Sequence, residues 1–253
     1  MFDSIKTSGK IAAAGYAAIG ALIFALPAQA NLVQNGSFEI NDGTGHLTWN
    51  TSVANWTNGL SSAGDDGYNF LFDGATADST GADGQYGNVA LWGPNNGSSN
   101  GLVASPDGGD FIGSDGAFQT GSISQTINGL IAGNTYTLGF WWSAAQQRPF
   151  DGESSDQWQV TFGSQTQSTA AVNIASHGFS GWQHEAFDFV AGSASELLSF
   201  LAVGAPSGVP PFALLDGVSL DAKGTAVPEP GILALLGIGL LGVPAMRKLR
   251  NKR

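Results

Sequence analysis

From residue 31 onward, glycine and turn residues cut the chain into short runs in which apolar and polar positions alternate. The clearest run is 135–142, where Tyr136, Leu138, Phe140 and Trp142 alternate with Thr135, Thr137 and Gly139. Side chains on a strand point to opposite faces in turn, so this pattern predicts a strand with one face in a core. On that parity Trp142 faces the core and Trp141 the opposite side of the sheet. Further strands are predicted at 32–38, 53–56, 69–72, 88–92, 111–112, 122–127, 157–162, 182–190, 197–203 and 212–220, all rich in β-branched and aromatic residues. No amphipathic helix is predicted between residues 31 and 226. Many short strands with Gly-rich turns predict an all-β sandwich or barrel. Polar loops fill 57–67, 73–87 and 93–109, with a shorter one at 144–156, and aspartate recurs in them.

Both ends break the pattern. Lys6 and Lys10 precede an apolar run at 11–26, and Pro27-Ala28-Gln29-Ala30 follows with small residues at the positions a signal peptidase reads. Residues 1–30 are therefore expected to be a secretory signal helix, cleaved before Asn31. At the other end, after a linker (223–230), Val227-Pro228-Glu229-Pro230 is followed by an uncharged apolar segment at 231–246. A basic cluster at 247–253 begins with Arg247. The segment predicts a transmembrane helix, slightly short of the usual ~20 residues. The basic tail stays cytoplasmic, so everything before it faces outward. This ending resembles the PEP-CTERM sorting signal of Gram-negative bacteria. The resemblance implies removal of the tail by an exosortase-type membrane protease, after a transient membrane-anchored state, and a final place at the cell surface or outside the cell.

Charge narrows the functions of residues 31–222. All acidic residues but Asp3 and Glu229 lie between 31 and 226, where Arg148 and Lys223 are the only cations. Eighteen carboxylates against two cations leave a net charge of −16. Such a domain repels nucleic acid, whose binding rests on Lys and Arg, and attracts divalent cations. The chain has no cysteine, which excludes a disulfide scaffold. The domain is long enough for a core of its own.

Asn31-Leu32-Val33-Gln34-Asn35-Gly36-Ser37-Phe38-Glu39 opens the domain, and Leu214-Leu215-Asp216-Gly217-Val218-Ser219-Leu220 closes it. Between them stand Ser124-Gln125-Thr126-Ile127, the stretch from Gly133 to Phe140, and Gly181-Trp182-Gln183. In this order and spacing they resemble the galactose-binding-like jelly rolls, which include carbohydrate-binding modules. The resemblance implies a jelly-roll β-sandwich and a structural calcium joining the first and last strands, with Glu39 and Asp216 as the matching ligands. Gly217 departs from the pattern, where a second Asp is common. The residues point the same way on their own: Asp216 shares its parity with Phe212, Leu214, Val218 and Leu220. A core-facing carboxylate is costly unless paired or metal-bound. Calcium takes oxygens from carboxylates and carbonyls, which this chain supplies. An Asp capping a turn is the other reading.

Enzymatic patterns are poor. The histidines, His46, His177 and His184, show no metal-ligand spacing, and the chain has no cysteine nucleophile. Sugar binding needs flat aromatic faces beside amides and carboxylates. The candidates are Trp141, Trp92 at a strand end, and the neighbouring Gln146 and Arg148. Each also has a structural alternative, with Trp141 covered by a loop and Arg148 paired to Asp151 or Glu153. The expected function is non-catalytic binding of a polysaccharide such as exopolysaccharide. A structural matrix or adhesion protein without a discrete ligand is the alternative, and an enzyme built on loop carboxylates ranks last.

Overall fold

A computed structural model describes residues 31–223 of the protein. The expected signal helix, sorting motif, membrane helix and basic tail lie outside the described residues. Fourteen strands follow one another: β1 (Gly45–His46), β2 (Thr57–Asn58), β3 (Asn69–Asp73), β4 (Ala82–Gly84), β5 (Gly87–Leu91), β6 (Asp110–Asp115), β7 (Ile123–Asn128), β8 (Thr135–Arg148), β9 (Ser154–Phe162), β10 (Gln165–Ser168), β11 (Val172–Ile174), β12 (Gln183–Val190), β13 (Ser195–Ala205) and β14 (Pro211–Ala222).

They form two antiparallel sheets. The 8-stranded sheet runs β1-β3-β6-β14-β8-β5-β4, with β12 also on β8; the 6-stranded sheet runs β10-β9-β13-β7-β2, with β11 also on β9. The expected all-β sandwich is thus present. Its main core lies between the sheets, where Tyr136, Leu138, Phe140 and Trp142 meet Trp158, Val160, Phe162, Leu198 and Phe200. Alternation in β8 and β9 places these residues inward, as predicted. The Trp158 indole N–H is satisfied across the core by the Leu214 carbonyl at 3.0 Å.

Several local expectations change. Residues 32–38 form no regular strand: Leu32 N–H donates to the Leu220 carbonyl, and Val218 N–H donates to the Gly36 carbonyl. Gly36 is required there, since a Cβ would lie 1.9 Å from the Val218 oxygen. The expected strand at 53–56 is reduced to an isolated bridge at Val53. The shorter predicted loop, 144–156, is mostly strand, because β8 continues to Arg148 and β9 starts at Ser154.

The other face of the 8-stranded sheet is also covered. Phe70, Phe72, Phe111, Phe212, Leu214 and Leu91 form a second core there, packed against Leu102, Phe179 and Trp182 from loops. This corrects the parity argument for Asp216. The register of β14 against β8 shifts between Asp216 and Ser219. Before the bulge, Phe212 and Leu214 face the second core; after it, Val218 and Leu220 face the main one. Asp216 pairs in register with Trp141, on the loop-covered side of the sheet.

Candidate functional site

At one end of the sandwich, turns and loops gather four aromatic rings around a pocket of about 370 Å³. The β4–β5 turn supplies Tyr86, the loop after β6 supplies Phe118, and the β8–β9 turn supplies Phe150. These rings are 58 %, 46 % and 37 % exposed. Tyr68, buried just before β3, anchors two of them: its ring lies 5.2 Å from Phe118, edge on, and 6.0 Å from Tyr86. Tyr86 and Phe118 meet at 5.8 Å, 70° apart. Gln119 Nε2 donates to the Tyr86 hydroxyl at 2.8 Å. Phe150 is held by its carbonyl, which accepts the Trp92 indole N–H at 2.8 Å.

The polar lining comes from Asp115 and Gln147, with Ser207, Gly208 and Pro210 at the rim. Asp115 Oδ1 accepts the N–H groups of Ala117 (2.7 Å) and Phe118 (3.0 Å), which shapes the loop that carries Phe118. Its Oδ2 has no partner. Burial pushes the Asp115 carboxyl up to about 7, against the lowering effect of those two N–H groups. Burial, with the nearby Asp115 charge, pushes the Tyr68 phenol up to about 12, so it stays a neutral donor. Neither the Gln147 amide nor the Tyr68 hydroxyl is hydrogen-bonded among the described residues.

The sequence-chosen residues sit elsewhere. Trp92 is half-buried and stacked on His177, with ring centroids 3.8 Å apart, while Arg148 Cζ lies 5.8 Å from its centroid. His177 bonds to Asp151 in turn. Gln146 is fully buried. Its Oε1 accepts His177 N–H at 2.6 Å and its Nε2 donates to the Gly152 carbonyl at 3.0 Å. It therefore tethers two loops and does not reach solvent. Trp141 is half-buried on the sheet face away from the main core, as its parity predicted, with His184 edge on at 5.0 Å. Thus Trp92, Gln146 and Arg148 come together, and Trp141 stands apart near Asp216. Sequence reasoning missed Tyr86 and Phe118 because it searched for tryptophans. Their signal was an aromatic ring flanked by turn residues, in Gly84-Gln85-Tyr86-Gly87 and Gly116-Ala117-Phe118-Gln119.

A second polar centre surrounds Asp216. Its Oδ1 accepts the Gly217 N–H at 2.7 Å, and its fully buried Oδ2 has no partner. Burial pushes this carboxyl up to about 8; Ser105 and Gly217 hydrogen bonds oppose the rise, and the charges of Asp107 and Glu39 add to it. Glu39 Oε1 accepts the Asp110 N–H at 2.7 Å. Asp110 is also raised, by burial first and then by Glu39 and Asp73, while Asn41 lowers it. Gly217 sits at φ 58° in the bulge, and a Cβ there would lie 3.0 Å from Trp141 Cδ1. Glu39 and Asp216 thus share one acidic neighbourhood. Among the described residues no three His, Asp or Glu side chains are gathered as a metal cluster.

Residues 226–251 match the PEP-CTERM protein-sorting motif, which marks an exported, exosortase-processed surface protein. No curated protein matches the chain in sequence. Among solved structures, the chain is similar to the carbohydrate-binding module TmCBM61 in complex with β-1,4-galactotriose. Identity is 16 % and the TM-score 0.38, over 77 % of this chain and 99 % of that one. It is also similar to the K1 cleaved adhesin domain of Lys-gingipain from Porphyromonas gingivalis W83, at 14 % identity and TM-score 0.41, over 68 % and 92 % of the two chains. A Family 16 Carbohydrate Binding Module-2 matches at 15 % identity and TM-score 0.28, over 46 % and 79 %.

Proposed function

We propose that the surface-sorted domain is a non-catalytic carbohydrate-binding module whose sugar site is the pocket between Tyr86, Phe118 and Phe150. One observation carries this reading: exposed rings stand beside two polar groups that have hydrogen-bonding capacity left over, the Gln147 amide and the Tyr68 hydroxyl. Sugars present C–H patches that pack on rings and hydroxyls that seek amides and carboxylates. In water such groups would simply be solvated, but concave apolar walls with few convergent polar groups are the usual form of a ligand site. The volume suits one or two sugar units of a longer chain that leaves through the open rim, in keeping with a polysaccharide outside the cell. Trp141 and Arg148 remain outside this pocket, and Trp92 supports it through Phe150.

The same reading gives Glu39 and Asp216 a structural calcium. An orphaned, buried carboxylate oxygen and mutually repelling carboxylates support it, since a divalent cation relieves both. Its role would be to tie the segment carrying Glu39 to β14. No chemistry on the sugar is assigned to it.

Affinity electrophoresis in gels containing the host's exopolysaccharide tests the sugar site. Tyr86→Ala and Phe118→Ala each remove a ring worth about 1.5–3 kcal/mol when covered, so retardation should weaken roughly ten- to hundredfold. Unchanged retardation in both variants, with loss in Trp141→Ala instead, would move the site to the sheet face around Trp141, midway along β8.

A further inference from the structure

The outer face of the 6-stranded sheet takes no part in the pocket or in the acidic centre around Asp216. Alternation turns every second side chain of its strands away from the main core. On β13, the middle strand of the order β10-β9-β13-β7-β2, these are Leu197, Ser199, Leu201 and Val203. Leu197 and Val203 are exposed and Leu201 is half-buried, so an aliphatic ridge runs down the centre of the face. Uncharged polar residues flank it, with Gln157, Gln159 and Thr161 on β9 and Ser124, Thr126 and Asn128 on β7. A row of hydroxyls crosses the ridge at Ser199: Thr166, Thr161, Ser199, Ser124 and Thr57 are Cα partners in turn on five strands. Beside Leu197 the face dips into a trough of about 460 Å³.

No charged side chain stands on this face. The strands of the sheet hold two acidic residues, Asp156 and Glu196, and both have the inward parity. Glu196 is occupied by the N–H groups of Gly192 and Ser193. Glu153, just before β9, borders one end of the face. In a domain of net charge −16 this decides what can dock there. A cationic partner gains nothing from a face without carboxylates. A glycan finds no ring to stack on, since none of the outward positions on these strands is aromatic. A second copy of the domain is repelled by the acid-bearing surfaces but not by this one, because charges more than about 8 Å away are screened at physiological salt. The face also matches itself. Hydroxyls and amides both donate and accept, so they can pair with their own two-fold copies, which carboxylates cannot do. An aliphatic ridge within an uncharged polar surround is the usual anatomy of a protein interface. We infer that the domain self-associates by packing this face on the same face of a second copy, independently of the carbohydrate reading. Five strands span about 19 Å and β13 about 34 Å, which gives at most about 600 Å² per copy. The total of about 1,200 Å² is at the low end of specific interfaces, so the dimer is weak and reversible.

Residues 31–223 close their own core and join their first segment to their last strand, so this domain can be tested by itself. Sedimentation equilibrium between about 10 µM and about 1 mM protein should show a reversible monomer–dimer equilibrium. Association should tighten from about 20 mM to about 500 mM salt, because salt screens the repulsion between copies and no ion pair joins them. Leu201→Glu and Ser199→Glu put like charges into the contact and should each weaken the dimer at least about tenfold. Ala186→Glu adds the same charge at an exposed position on β12, in the other sheet, and should leave association unchanged, as should Tyr86→Ala at the pocket. If Leu201→Glu is unstable, Ser199→Glu, at a polar position, reports the same loss. A monomer at the highest protein and salt concentrations would overturn the inference, and so would a dimer untouched by both Glu variants. Loss of the dimer in Tyr86→Ala would place the contact at the pocket and equally overturn it. A monomer retarded in gels of a neutral glycan, with retardation lost in Ser199→Glu, would make the face a glycan surface and overturn it as well.

Discussion

Asp216→Asn tests whether burial of the β14 carboxyl has the consequence its surroundings require. The folded carboxyl is pushed from 3.8 up to about 8. Between those values the folded protein keeps a proton that the unfolded chain has released. The contribution to stability is therefore fully present below pH 3.8 and is lost as pH rises through about 8. At about 1.36 kcal/mol per pH unit, the gap corresponds to ~6 kcal/mol. Glu39 and Asp107 are exposed and can swing away, which lowers the figure to roughly 3–5 kcal/mol. That is a large share of the 5–15 kcal/mol that holds an ordinary domain together. Asparagine keeps the acceptor for the Gly217 N–H and cannot ionise. In urea unfolding of residues 31–223 with chelator present, followed by tryptophan fluorescence, the variant should match wild type at pH 4. At pH 8 it should exceed wild type by several kcal/mol. Calcium at a hundred times its dissociation constant should return about 2.7 kcal/mol to wild type at pH 8, and less to the variant. A stability difference that stays flat between pH 4 and pH 8 in chelator would refute the claim that Asp216 is desolvated in the fold.

Other expectations concern the frame around these sites. Gly217→Ala forces a side chain into a positive-φ bulge against Trp141 and should cost about 1–3 kcal/mol, read as a lowered Tm by calorimetry. Trp158→Phe keeps most of the apolar volume but removes the indole hydrogen bond to the Leu214 carbonyl, so denaturant unfolding should show a loss of about 0.5–1.5 kcal/mol. A wild-type midpoint in that variant would mean the indole bond across the core contributes nothing.

The legible parts of this protein were those governed by short-range pattern. Alternation placed Trp142 and Trp158 inward and Trp141 outward, because strand side chains have a period of two and one face of β8 and β9 meets the main core. The pattern lost its meaning in β14. There both sheet faces are buried and a bulge shifts the register, so Asp216 lies on the opposite side from Val218 and Leu220. Strand 32–38 was read from its apolar residues, but positive-φ turns at Asn35 and Phe38 break it into turns that meet β14 at a few points. Gln146 was chosen for its chemistry, and both ends of its amide are consumed by loops 149–153 and 175–178, whose proximity no local pattern encodes.

The sequence by itself determined the sandwich class, the strong net negative charge, and the C-terminal sorting motif. Each depends only on residue type, local order or a contiguous stretch of chain. The tertiary structure alone decided that Tyr86, Phe118 and Phe150 share one pocket beside a buried Asp115, and that Asp156 is buried with neither oxygen partnered. The pocket groups come from turns and strands far apart in the chain. They meet because the two sheets end at the same place, and burial there changes their chemistry in a way that residue type cannot reveal.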